Sequence, residues 1–206
     1  MLLTWPHFSL EEFPTATRLR LQSPDGTNRL TRACVISLTE AIEDFPRTRP
    51  LIISGNSKFF SAGADLAEIA ELTGPAAFAF AKMGQALMNA IEQFPAPTYA
   101  AIEGYCMGGG LDLALACHHR IASPHAIFGH RGTALGLITG WGGTQRLPRL
   151  IGKSRALAMF LPAAKLSAAD ALQSGLIEVV ADDPVREAVR CIGTRYLPRT
   201  DRSIDL

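Results

Sequence analysis

Apolar and polar positions change their period several times along the chain, and each change marks an element. From Thr31 to Phe45, apolar residues at Cys34, Val35, Leu38, Ala41, Ile42 and Phe45 keep helical spacing, which predicts an amphipathic helix stopped at Pro46. Phe80, Met83, Leu87, Ala90, Ile91 and Phe94 repeat that spacing, so a longer helix is expected after a break at Gly74-Pro75, ending at Pro95 and Pro97. Shorter runs read as strands. Thr17 to Gln22 alternates like a half-exposed strand and exits through the turn formers of Ser23 to Asn28, whereas Leu51 to Ser54 is apolar without alternation, as in a strand buried on both faces. Thr98 to Gly104, Arg120 to Ala122, Ala126 to Phe128 and Leu176 to Val180 complete the set. A capping box at Ser167 to Asp170, with Asp in place of Glu, starts a helix that Gly175 stops. Residues 181–206 are charged and weakly patterned. Strands alternating with helices predict an α/β fold with a largely parallel sheet.

Two glycine turns stand out between strands and helices. In Gly104 to Cys117 (GYCMGGGLDLALAC), a strand gives way through Gly108, Gly109 and Gly110 to a helix that is apolar nearly all round. Without Cβ atoms the turn lets a ligand approach its backbone, and unpaired N–H groups at the helix start suit a phosphate, a carboxylate or an oxyanion. Lys58 to Leu66 (KFFSAGADL) repeats the arrangement through Gly63, so both turns are expected to open on one side. A third segment, Gly129 to Gly143, holds six glycines, walls the same site and leads into a helix near Thr144 to Leu147. Nucleotide loops fail on spacing: Gly152-Lys153-Ser154 ends like a P-loop, but its first glycine would fall at Leu147.

Composition narrows the setting. At 206 residues, 48% hydrophobic and 19% charged, the chain suits one soluble domain. A net charge of +1 gives no global field for nucleic acid or an anionic membrane, and no apolar run approaches the roughly 20 residues of a bilayer span. The four cysteines form no CxxC pair and Met1 to Phe8 lacks a secretory pattern, so a cytoplasmic location is expected. Adjacent Cys117, His118 and His119 lack ligand spacing, so no metal site is expected.

Four motifs in order, FFSAGADL at 59–66, IEGYCMGGGLDLALAC at 102–117, GWGGTQRLPRLIGKSRA at 140–156 and LSAADALQSGLIEVV at 166–180, resemble the enoyl-CoA hydratase/isomerase, or crotonase, family. The resemblance implies a crotonase-like ββα superhelix with an acyl-CoA-binding core over residues 1–180. Residues 181–206 then form a short C-terminal region, truncated relative to the family. It implies an enzyme that processes acyl-CoA thioesters, a lyase or isomerase, with coenzyme A as part of the substrate and no prosthetic group. By that resemblance the N–H groups of Ala64 and Gly109 hold the thioester oxygen, Asp112 is the main acid-base group, and Lys58, Ala62, Asp65 and Leu66 meet coenzyme A. A homo-oligomer, a trimer, is also implied.

Three positions depart from the family. Asp112 carries a shortened carboxylate; His118 stands where the family commonly has Asp; and Gly132 replaces the second glutamate of the hydratase pair, within Phe128-Gly-His-Arg-Gly132. A missing acid-base group costs roughly 10²- to 10⁴-fold, so weak hydration is expected, rising if a glutamate is restored at 132. His130, two residues from the vacancy, is a candidate proton donor near neutral pH. Trp141 either lines the acyl pocket or packs beneath the loop. Decarboxylation of a malonyl-CoA-type thioester is the alternative reaction, because loss of CO₂ makes the enolate without a base. A degenerate acyl-CoA-binding subunit is the alternative of a different class.

Overall fold

The computed structural model describes residues 2–194. The chain opens on a hairpin, β1 (Leu2–Thr4) and β2 (Phe8–Glu12), followed by β3 (Thr17–Leu21), β4 (Arg29–Leu30) and α1 (Arg32–Asp44). Thr31 caps α1 by accepting from the Cys34 amide, and Phe45 leaves it in extended conformation before Pro46. Next come β5 (Leu51–Ser54), β6 (Phe59–Ser61), β7 (Gly63–Ala64), the short α2 (Leu66–Ala70) and α3 (Gly74–Glu92). Gly74-Pro75 therefore begins α3 rather than interrupting it, because proline suits a first helical turn, where its missing N–H has no partner to lose.

The pattern of two strands and a helix then repeats. After β8 (Thr98–Ile102), β9 (Tyr105–Met107) and α4 (Gly109–Ala116) come β10 (His119–Ala122), β11 (Ile127–Gly129), a 3₁₀ turn at Gly132–Leu135, α5 (Gly143–Ile151) and α6 (Lys153–Phe160). The chain continues through β12 (Lys165–Ser167), α7 (Ala168–Ser174), β13 (Val179–Val180) and α8 (Pro184–Thr194). The first strand of each repeat joins a seven-stranded sheet ordered β1-β2-β3-β5-β8-β10-β13, parallel from β3 onward. The second strand joins a four-stranded sheet ordered β12-β11-β9-β6. This is the expected ββα arrangement.

Strand periodicity divides the core in two. Leu51 and Ile53 of β5, with Ala100 and Ile102 of β8, face α1, α3 and α4 in the main core. Their neighbours Ile52, Tyr99 and Ala101 face the other way, onto Ala188 and Cys191 of α8. The weakly patterned stretch after residue 180 thus contains a helix whose few apolar residues cover the second sheet face. Of Leu176 to Val180, only Val179 and Val180 join the ladder, beside Ile121 and Ala122; Leu176 and Ile177 are buried in the main core after the left-handed cap at Gly175. The capping box at Ser167 and Asp170 forms as expected. Buried Arg120 closes this end by donating to the carbonyls of Cys117 and Leu176 and pairing with Glu178 at 2.5 Å.

Candidate active site

One side of the site is backbone. The turn from β9 into α4 passes through Gly108 at φ +52°, a region that glycine enters at little cost. Gly109 and Gly110 begin α4, where N–H groups have no acceptor within the helix. The earlier glycine turn lies directly against them. A Cβ on Gly63 would stand 2.6 Å from the Met107 carbonyl oxygen and 2.9 Å from the Gly109 nitrogen, and one on Gly109 would stand 3.2 Å from the Ala64 nitrogen. Both turns open on one cavity of about 380 Å³, lined by Ala62, Ala64 and Leu66 from one and Gly108, Gly109 and Asp112 from the other.

The facing side is made of side chains. Asp112, in the first turn of α4, is only 2% exposed and accepts through Oδ2 from the Thr139 hydroxyl. Its Oδ1 lies 3.3 Å from Nε2 of buried His130, a distance fit for an ion pair if the ring is protonated. The two atoms are not aligned for a hydrogen bond, and neither has another partner. His130 is held by Phe160, whose ring centroid lies 5.2 Å away. Leu135, Leu137, Ile138 and Trp141 add an apolar wall. Trp141 does both things expected of it: it lines the cavity, and it packs on Phe80 while its indole N–H donates to the Phe80 carbonyl.

Lys58 and Asp65 fall outside this constellation. Lys58 is exposed and does not line the cavity; its backbone is fixed by the Asn56 carboxamide and the Tyr105 amide. Asp65 caps α2 through the amides of Ala67 and Glu68 and pairs with Arg29, and these contacts, the Glu68 amide first, hold its carboxyl below the usual range. Leu66 is exposed at the mouth. A Cβ on Gly132 would stand 2.9 Å from the Leu137 carbonyl oxygen, so a glutamate there requires the loop to shift.

Cys117, His118 and His119 point to different tasks. The Cys117 thiol donates to the Leu113 carbonyl, His118 Nδ1 accepts from the Thr98 amide, and the His119 ring stacks on Tyr99. Burial, helped by Arg120 and His118, pushes His119 down to about 4. Among the described residues no group of three or more His, Cys, Asp or Glu side chains could hold a metal ion, and no helix is long and apolar enough to cross a membrane.

Sequence reasoning missed Thr139 and the role of Gly143. Thr139 lies 27 positions from Asp112, and no spacing rule links loop threonine to helix carboxylate. Gly143 was visible only as one glycine among six. A Cβ there would stand 2.2 Å from Asp112 Oδ1 and 2.8 Å from His130 Nε2, so its absence leaves room for both groups.

Comparison with known proteins agrees with this geometry. A Bacillus subtilis protein named as a probable enoyl-CoA hydratase is 41% identical over 76% of this chain, which spans 62% of that relative's length. The crotonyl-CoA hydratase of Syntrophomonas wolfei is 33% identical over 99% of the chain and 80% of its own length. The crystal structure of an enoyl-CoA hydratase from Bacillus anthracis superposes with a TM-score of 0.84 at 35% identity, covering 91% of this chain and 76% of that one. Residues 15–202 match the enoyl-CoA hydratase/isomerase family, and with the repeated ββα units and the paired glycine turns in place, the chain belongs to that family.

Proposed function

We propose that the chain hydrates 2-enoyl-CoA thioesters, holding the thioester oxygen on the N–H groups of Ala64 and Gly109 and using Asp112 and His130 as its acid-base pair. The observation that carries this reading is the pair of buried atoms Asp112 Oδ1 and His130 Nε2, side by side, unpartnered, and lining a cavity that is otherwise mainly apolar. An unsatisfied buried polar atom costs about 1–3 kcal/mol, so two together suit a ligand that brings its own polar group, such as water.

The chemistry then runs on this chain's own residues. Asp112 takes a proton from water as its oxygen attacks C3, negative charge develops on the thioester oxygen between the two amides, and His130 gives a proton to Cα. Preorganised donors of this kind contribute about 10²- to 10³-fold each. His130 thereby supplies the second group that Gly132 lacks. The apolar wall receives the acyl chain, while the Ala62–Leu66 turn and Lys58 are assigned to the coenzyme A portion. The proposal extends to a homo-oligomer, supported by exposed Leu157 in α6 and Leu161 just after it, and checked by light scattering.

The test is loss of enoyl thioester absorbance with crotonyl-CoA for the wild type, Asp112→Asn and His130→Gln. Each substitution is expected to lower kcat by about 10²- to 10⁴-fold. Turnover insensitive to both sinks the acid-base assignment. Decarboxylation of malonyl-CoA without hydration moves the chemistry to the alternative reaction, and binding without turnover of any thioester identifies a degenerate subunit.

A further inference from the structure

Asp112 is buried on both sides of its carboxylate, yet its two oxygens have unlike surroundings. Oδ2 receives the Thr139 hydroxyl, while Oδ1 has no donor and faces His130 Nε2 across 3.3 Å. A carboxylate with one oxygen tied cannot rotate freely about its last bond, so the tie decides which oxygen meets the cavity. Thr139 comes from the loop between β11 and α5, at the end of the cavity wall, and lines the cavity itself. Gly143 completes the fit: any side chain there would strike Asp112 Oδ1, His130 Nε2 and the Thr139 methyl group, at 2.2, 2.8 and 2.8 Å from its Cβ.

We infer that Thr139 is a positioning residue for Asp112, holding Oδ2 so that Oδ1 stays aimed at the reacting group, and that it links the setting of the acyl-side loop to the acid-base chemistry. The inference rests on the proposed role of Asp112. Loss of this hydroxyl removes a hydrogen bond to a charged group, worth about 10- to 100-fold in kcat, while KM for the thioester changes little.

The experiment compares Thr139→Val, which keeps the shape, with Thr139→Ser, which keeps the hydroxyl. Thr139→Val is expected to lose about 10- to 100-fold in kcat with little change in KM, and Thr139→Ser to recover most of the rate. A Thr139→Val enzyme with the wild-type rate overturns the inference, as does a loss that falls on KM as much as on kcat or that Thr139→Ser does not recover, which is the mark of a purely structural hydroxyl. A second measurement needs no turnover. The His130 ring protons are followed by NMR at one fixed pH in the wild type, Thr139→Val and Thr139→Ser. The untied carboxylate turns beside the ring, so these resonances move in Thr139→Val and return in Thr139→Ser. Unmoved resonances overturn the positioning role; moved resonances in a protein that turns over no thioester support the role and reject the proposed reaction instead.

Discussion

The two walls of the cavity are built by opposite means. The wall made by the β6–β7 and β9–α4 turns is packed so closely that Gly63 and Gly110 have no space for a single added carbon. The wall made by residues 130–142 is side chain against side chain, and it carries Leu135 and Ile138 at 56% and 74% exposure. The difference follows from what each has to do. Amides that stabilise a developing charge act only if they are in place beforehand, and backbone locked on backbone keeps them there. A wall for apolar chains works through area and tolerates movement. Substitutions therefore separate the two walls, and Trp141, which touches both, is where the largest effect is expected.

Trp141 is 3% exposed and wedged between α3 and the start of α4: a Cβ on Gly84 would lie 2.2 Å from its ring, and one on Gly109 2.5 Å. Trp141→Ala leaves a cavity behind Gly109 and removes the anchor of the loop, at about 3–5 kcal/mol of stability in urea unfolding. The rate with every thioester should fall together, because the backing of one proposed oxyanion donor is lost. A variant that loses only long-chain substrates would place Trp141 wholly on the acyl side.

Gly63→Ala attacks the backbone wall alone. Gly63 sits at φ +93°, and a Cβ there would stand 2.6 Å from the Met107 carbonyl oxygen and 2.9 Å from the Gly109 nitrogen, against backbone that cannot swing aside. Left-handed strain and overpacking together give an expected loss of about 2–5 kcal/mol, read as a lower urea midpoint with an unchanged slope. Near-native stability would mean that the two turns are free to part.

Those two walls were not equally legible in the sequence. Glycine announces close backbone approach by its own identity, so Gly63, Gly108 and Gly109 mark the first wall in the sequence itself. Helix α1 and strand β5 were equally plain, because Leu38, Ile42 and Ile52 sit in patterns whose period is set by burial. The second wall gave less away. Thr139 meets Asp112 only because the loop folds back, and a contact 27 residues apart leaves no trace in local pattern. Helix α8 hid for a related reason: it needs only Ala188, Cys191 and a few partly buried neighbours against one sheet face, so its apolar stripe is thin among charges. Strand β2 hid because its alternation is short: Phe8-Ser9-Leu10-Glu11 is ended at once by a second glutamate, Glu12.

The smallest effect is expected at Ile138, on the side-chain wall. This residue lines the cavity yet is 74% exposed, so the fold draws little from its burial, and Ile138→Ala should change stability by less than about 0.5 kcal/mol. Its consequence appears only when a ligand covers it. A four-carbon acyl group reaches few of its atoms, whereas an eight-carbon group can lay further methylenes against the wall, each worth about 0.8 kcal/mol when fully buried. Ile138→Ala should therefore raise KM about three- to tenfold for octenoyl-CoA, leave kcat unchanged and leave crotonyl-CoA nearly untouched, because uniform binding is lost without altering the reacting centre. Steady-state kinetics with the two thioesters decide it. An equal rise for both would put Ile138 beside the part of the ligand they share, the thioester and coenzyme A, and would move the boundary between the two walls across the loop; a fall in kcat would show that the side-chain wall also sets the acid-base geometry through Thr139, one residue away.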